Sequence, residues 1–161
     1  LSRFPIVVQE NEDISAHPFE SRGLLHCVVR LGPRMPDLHC INVHLGLFER
    51  GRQWQVRALC ERIRQAVPKS APLVIAGDFN DWRHRANRQL IDQLSVVEVF
   101  EAVKGRTART FPSMLPLFRL DRIYVRGLDV IDARVHYAYP GRRLSDHAAL
   151  DATCELAAAR R

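Results

Sequence analysis

The sequence has no apolar run approaching the roughly 18 residues that a membrane-spanning helix requires. Its strongest apolar stretch, Leu73-Val74-Ile75-Ala76, has the length of a strand, and a transmembrane segment is excluded on that ground. Lysine is scarce, at positions 69 and 104 alone, so arginine carries nearly all the positive charge. No Cys-x-x-Cys pair occurs among Cys27, Cys40, Cys60 and Cys154. These cysteines sit in apolar stretches, which leads us to expect free, buried thiols of a reducing, cytoplasmic compartment. There is no internal repeat, low-complexity tract or linker. Leu1 to Glu10 holds neither an initiator Met nor a signal-length apolar core, and reads as the interior of a longer polypeptide.

What is present is 161 residues, 47% hydrophobic and 26% charged, the composition of one globular domain. With 24 basic and 18 acidic residues the net charge is +6. An arginine-rich surface suits an anionic substrate such as a phosphate ester, though net charge alone locates no site.

Gly23–Leu31 and Leu38–Leu45 are β-rich and are joined by Gly32-Pro33-Arg34-Met35-Pro36-Asp37, which predicts an antiparallel hairpin. From Glu49 to Val67, the residues Val56, Leu59, Cys60, Ile63 and Val67 form one helical stripe, and Pro68 ends it. Leu73–Ala76 predicts a buried strand that runs into Gly77-Asp78-Phe79-Asn80-Asp81. A second helix is expected over Ala86–Leu94, a Pro-containing loop over Arg106–Pro116, and strands over Leu120–Val125, Val130–Tyr137 and Ala148–Leu156, with the final Ala-Ala-Ala-Arg-Arg a frayed end. The pattern is a mixed α/β (α+β) layer architecture.

Four polar clusters lie at ends of these strands: Asn42-Val43-His44-Leu45, Gly77-Asp78-Phe79-Asn80, Leu120-Asp121-Arg122-Ile123 and Ser145-Asp146-His147. Singly, each has a structural explanation: a core histidine, a turn, a surface ion pair, a cap. Together, their two His and three Asp, with Asn80, supply what metal-assisted phosphoester hydrolysis requires. Carboxylates hold a hard cation such as Mg²⁺, with Mn²⁺ as a substitute, and a carboxylate or imidazole activates water. An amide and a protonated imidazole donate to the phosphate oxygens.

The order and spelling of these clusters, with Arg52-x-x-Gln55-x-x-x-Leu59 on the helix and Thr110-Phe111-Pro112-Ser113 before Leu120, resemble the endonuclease/exonuclease/phosphatase superfamily. The resemblance implies a DNase I-like four-layer sandwich, two packed mixed or antiparallel sheets flanked by helices. It also implies roles. Asp78 would orient or deprotonate the attacking water, Asn80 would bind the scissile phosphate, Asp146 would be a metal ligand beside Asp78, and His147 would be the phosphate-contacting acid/base. Asp121 would hold the tautomer of His147, His44 would be a second active-site histidine with Glu20 as its carboxylate partner, and Arg122 would contact substrate.

The pattern also departs from the family's. An Asn-bearing first strand and a Gln-Glu strand carrying a principal metal ligand are not visible, and Gln9-Glu10 stands in the wrong context to replace the latter. Residues 1–161 are therefore expected to be a single domain of this family, incomplete at its N-terminus, with an apolar sheet face left open and self-association as one way to cover it. The leading functional expectation is a Mg²⁺-dependent phosphodiesterase, nuclease or phosphatase acting on nucleic acid or on lipid or inositol phosphates. The isolated chain would be weak or inactive. The competing expectation is a non-catalytic phosphate- or partner-binding module. A zinc hydrolase using His26, His39, His44 and cysteines ranks last, because neighbouring residues of a strand face opposite ways and would split each His-Cys pair.

Overall fold

The computed structural model describes residues 1–137 and 144–157. A six-stranded sheet has the order β1-β2-β3-β4-β6-β5, built from β1 (Ile6–Asp13), β2 (Gly23–Val29), β3 (Leu38–His44), β4 (Leu73–Asp78), β5 (Val97–Glu98) and β6 (Asp121–Arg126). Strands β7 (Leu128–His136) and β8 (Ala149–Leu156) pair as a second sheet. The expected hairpin is β2–β3, in which Cys27 lies opposite Cys40. β3 and β4 are parallel, and the crossover between them is α1 (Glu49–Ala66), while β6 runs antiparallel to β4.

Helix α1 buries Val56, Leu59, Cys60 and Ile63, and α2 (Arg85–Leu94) buries Ala86, Leu90 and Leu94. Both meet Leu24, Ile41, Val43, Leu73, Ile75 and Tyr124 from alternate positions of the strands in one apolar cluster. The other face of the sheet, through Val74, Ile123 and Val125, packs against α3 (Val99–Lys104), β7 and β8. Two sheets are thus packed together with α1 and α2 on the outer face of the first, in keeping with the DNase I-like reading. An apolar trough of about 510 Å³ opens beside this second layer, lined by Phe4, Leu31, Met35, Leu38, Leu128 and Leu150 among others. No described helix is long and apolar enough to cross a membrane.

Four points of the sequence reading need addition, correction or limit. β1 was not foreseen, because IVVQENED has few β-branched or aromatic residues beyond its start and every residue is exposed; pairing with β2 makes it a strand. α3 and the two-residue β5 are too short to show a period. Of the four cysteines, all free, only Cys60 is buried; Cys27, Cys40 and Cys154 are half-buried. Of the expected frayed end, residues 158–161 lie outside the described residues.

His26 and His39 share the helix-covered face of β2–β3. Their rings stack, a 2.9 Å hydrogen bond joins His26 Nε2 to His39 Nδ1, and His26 Nδ1 has no partner. Burial lowers the pKa of both; for His39 the His26 and Arg126 charges act the same way, and Asp37 opposes them. Both are therefore neutral in the fold and protonate more readily once unfolded. Their stabilising contribution is complete above the ordinary value of 6.5 and is lost as pH falls from there toward the depressed folded values. The Tm of the complete protein is expected to fall below pH 6.5, and the slope to flatten in His26→Leu/His39→Leu; an unchanged slope contradicts this.

Candidate active site

Strand pairing brings the site together. In the β3–β4 register His44 stands opposite Asp78, and in the β4–β6 register Asp78 stands opposite Asp121. Three strand ends thus place an imidazole and two carboxylates side by side. The approach of β3 to β4 depends on Gly77. Its φ is +142°, and a Cβ there would sit deep inside van der Waals contact of the Val43 carbonyl.

His44 Nε2 lies 3.5 Å from Asp78 Oδ2, and His147 Nδ1 lies 2.7 Å from Asp121 Oδ2. With Nδ1 committed to Asp121, the free atom of His147 is Nε2, and the ring is one-quarter exposed. The Phe111 ring lies 4.9 Å from the His147 ring, and Phe111 in turn neighbours Phe118, which meets Trp82 edge-on. The segment carrying His147 is tied to the Thr110–Ser113 loop: Ala148 N donates to Thr110 O (2.8 Å), Ser113 N to Asp146 O (2.6 Å) and Ser113 Oγ to Ser145 O (2.8 Å).

Electrostatics separate the two catalytic candidates. Burial raises the pKa of Asp78, and the Asp121 charge adds to that. The backbone N–H of Asn80, at 2.8 Å, and the two histidines pull the other way. Burial favours neutral His147, but the hydrogen bond and charge of Asp121, with the charges of Asp78 and Asp146, outweigh it and raise its pKa. Asp78 is thereby a stronger base than a free carboxylate, and His147 holds its proton to higher pH than a free imidazole.

The other expected residues occupy different stations. Asn80, in the left-handed region and 3% exposed, donates from Nδ2 to Leu45 O (2.9 Å) and Asp78 Oδ2 (3.2 Å), so its amide braces Asp78. Asp146 is exposed and near enough to act on His147. Arg122, expected at the substrate, is fully buried. Its Nη1 donates to the carbonyls of Arg119 and Asp121, and Nε and Nη2 have no partner, so it supports the turn into β6 from below. Glu20 does not bond His44. It accepts from Gln55 Nε2 (2.9 Å) and Ala16 N (3.1 Å) and lies 3.6 Å from Arg22. Glu10, of the Gln9-Glu10 pair, forms an ion pair with Arg62 on α1.

Several supporting residues were not singled out for these roles. Gln55 Oε1 accepts from Gly46 N (2.7 Å), and Arg52 Nη1 donates to Gly46 O (3.0 Å) and Leu47 O (2.9 Å), so the helix motif pins the loop that follows His44. Buried Thr110 offers Oγ1 to Asp121 N at 3.4 Å. Asp81 accepts from Arg85 N and Asn87 N, both at 3.0 Å, and fixes the start of α2 behind Asn80. For Arg52 and Gln55 the signal was helical spacing, four residues before Val56 and Leu59 of the apolar stripe; Thr110 and Asp81 lie in loops, where no period marks them.

Among the described residues no group of three or more His, Cys, Asp or Glu is placed to hold a metal ion. Asp78 and Asp146 are the candidate ligands, and Asp78 already accepts from Asn80. A hard divalent cation takes six or more oxygen ligands and usually more than one carboxylate beside water. The residues present therefore do not by themselves fit a complete metal centre.

A sheet sandwich with His and Asp gathered at its strand ends is the architecture of a phosphoesterase fold, and residues 1–147 match the Endonuclease/Exonuclease/phosphatase family. The chain belongs to that family. It is 44% identical over 158 residues to the Escherichia coli protein YbhP, covering 97% of this chain and 61% of that one. The chain thus spans about 61% of the length of this relative. Among solved structures it superposes on a mannosyl-6-phosphatase of Bacteroides thetaiotaomicron (TM-score 0.79, 19% identity, 95% of this chain and 67% of that one). It also superposes on D. rerio TDP2 complexed with a single-strand DNA product (TM-score 0.68, 23% identity, 91% and 67%). At these identities the two structures speak for the fold.

Proposed function

We propose that the complete protein containing this chain hydrolyses a phosphoester, with Asp78 and His147 as the reacting pair. The observation that supports this is that the end of β4 carries a carboxylate made more basic, while Asp121 on the adjacent strand end bonds an imidazole, on the loop before β8, that holds its proton to higher pH. Asp78 takes a proton from the water as its oxygen forms the new bond to phosphorus. As the ester P–O bond breaks, His147 Nε2 gives its proton to the departing oxygen, and Asp121 stabilises the imidazolium until then. His44, beside Asp78, donates to a phosphate oxygen. Family membership, and a family that includes a mannosyl-6-phosphatase, support the reaction class.

No step above passes through a metal. Dependence on Mg²⁺, with Mn²⁺ as a substitute, is proposed for the complete protein, with Asp146 and Asp78 among the ligands and a further carboxylate supplied from outside residues 1–161. The net charge of +6 supports an anionic substrate, a nucleic acid or a lipid or inositol phosphate. The test is hydrolysis of bis-p-nitrophenyl phosphate and p-nitrophenyl phosphate by the complete protein with Mg²⁺. Turnover of either supports the reading, and their ratio separates diesterase from monoesterase. A folded protein that hydrolyses neither, nor any nucleic acid or phospholipid, favours instead a phosphate- or partner-binding module.

A further inference from the structure

A second cationic feature lies beside the catalytic cluster. A cleft of about 540 Å³ opens between the Thr107–Arg109 segment, α3 and β7. Lys104, Arg106, Arg109 and Arg119 line it over an apolar floor that includes Phe100, with Tyr137 at its wall. Acidic balance is thin. Asp132 pairs with Lys104 at 3.2 Å but is shared with Arg134, and the charge of Glu101 acts on Arg119. The side chains of Arg106 and Arg109 make no hydrogen bond or ion pair to any described residue. Burial first, then the charges of Arg109, Arg106 and Arg122, lower the pKa of Arg119 against the opposing charge of Glu101, so its guanidinium is crowded by like charge.

One of these guanidiniums, and the backbone that carries another, are held in place. Arg119 Nη1 donates to Thr107 O (2.5 Å) and Thr107 Oγ1 (3.2 Å), which fixes one cation at the cleft. The Tyr137 hydroxyl donates to Arg109 O at 3.0 Å and anchors the backbone that carries a second. The same two segments continue into the reacting groups. Arg109 is two residues from Phe111, whose ring neighbours His147, and Arg119 is two residues from Asp121.

We propose that this cleft binds a phosphate group other than the one hydrolysed, with Arg106, Arg109 and Arg119 as its donors. Arginine forks match phosphate oxygens, and an anion there relieves the repulsion among them. The phosphate is either part of a substrate that continues past the catalytic cluster, which deepens the reading above, or a free phosphate.

The test uses Arg106→Gln/Arg109→Gln in the complete protein, since both side chains are without partners and their replacement spares the Arg119–Thr107 bonds. Two probes separate the sources: a fluorescein-labelled single-stranded 20-mer followed by anisotropy between 50 and 200 mM salt, and inorganic phosphate followed by calorimetry. For a continuing substrate, oligonucleotide affinity is expected to fall about tenfold or more, and the salt slope to drop by about 0.7, the contribution of one single-strand phosphate. For a free anion, phosphate binding is lost while oligonucleotide affinity holds. If the variant matches wild type in both arms, the proposal is overturned. Binding is read without turnover, so a protein that hydrolyses no ester yet loses either ligand in the variant retains this site and refutes only the catalytic reading.

Discussion

His147→Ala in the complete protein is expected to lower kcat for phosphoester hydrolysis by about 10²- to 10⁴-fold, the range for loss of a positioned acid/base. The expectation rests on one contact, the 2.7 Å bond from His147 Nδ1 to Asp121, which leaves Nε2 as the atom that can meet a leaving oxygen. His147 is one-quarter exposed and sits on the loop before β8, outside both apolar clusters, so truncation spares the core. Loss of kcat with an unaltered urea midpoint is the predicted pair of results. Asp121→Asn acts through the histidine: it removes the charge that raises the pKa of His147, so its kcat is expected to fall and the alkaline limb of its pH–rate profile to move to lower pH. A purely structural carboxylate would leave that limb in place. A His147→Ala enzyme within a few-fold of wild type would remove the histidine from the chemistry.

The largest effect on folding is expected from Gly77→Ala. At a φ of +142° an L-residue is strained, and the new methyl would run into the Val43 carbonyl of the neighbouring strand. Backbone cannot withdraw as a flexible side chain can, so β3 and β4 must separate where His44 faces Asp78. A destabilisation of more than about 4 kcal/mol, or failure to accumulate folded protein, is expected from urea titration. Gly105 offers the comparison: its φ is +70°, but nothing lies within 4 Å of an added Cβ, so Gly105→Ala carries strain without collision and is expected to cost less.

Much of the scaffold could be read from periodicity. The stripe Val56-Leu59-Cys60-Ile63 marked α1 because it buries one face, and the continuous apolar run Leu73–Ala76 marked β4 because both its faces are covered. β1 escaped because an edge strand with every residue exposed has no buried face to imprint a pattern. The site was legible where chemistry is local to strand ends: His44, Asp78, Asp121 and His147 are brought together by β3, β4, β6 and the loop before β8. It was illegible where a long side chain could turn either way. Arg122 follows Asp121, but strand alternation turns it to the helix-covered interior with Tyr124. Glu20 reaches Gln55, thirty-five residues on, a contact that no local spacing encodes. The motif residues Arg52 and Gln55 act as clamps on Gly46, a role visible only once the loop after β3 is placed.

The metal question divides along the same line. Within the described residues the carboxylates serve the histidines: Asp121 holds His147, and Asp78 lies against His44. No three-ligand cluster forms. A cation requirement is therefore a property to be sought in the complete protein.

The most direct measurement is the rate of bis-p-nitrophenyl phosphate hydrolysis by the complete protein beside its Asp78→Ala variant, each with Mg²⁺ and with EDTA. Turnover is expected in wild type with Mg²⁺, with its loss in EDTA and background rates in Asp78→Ala under both conditions. Turnover that persists in Asp78→Ala would contradict the assignment of this strand-end cluster as the site of phosphoester hydrolysis.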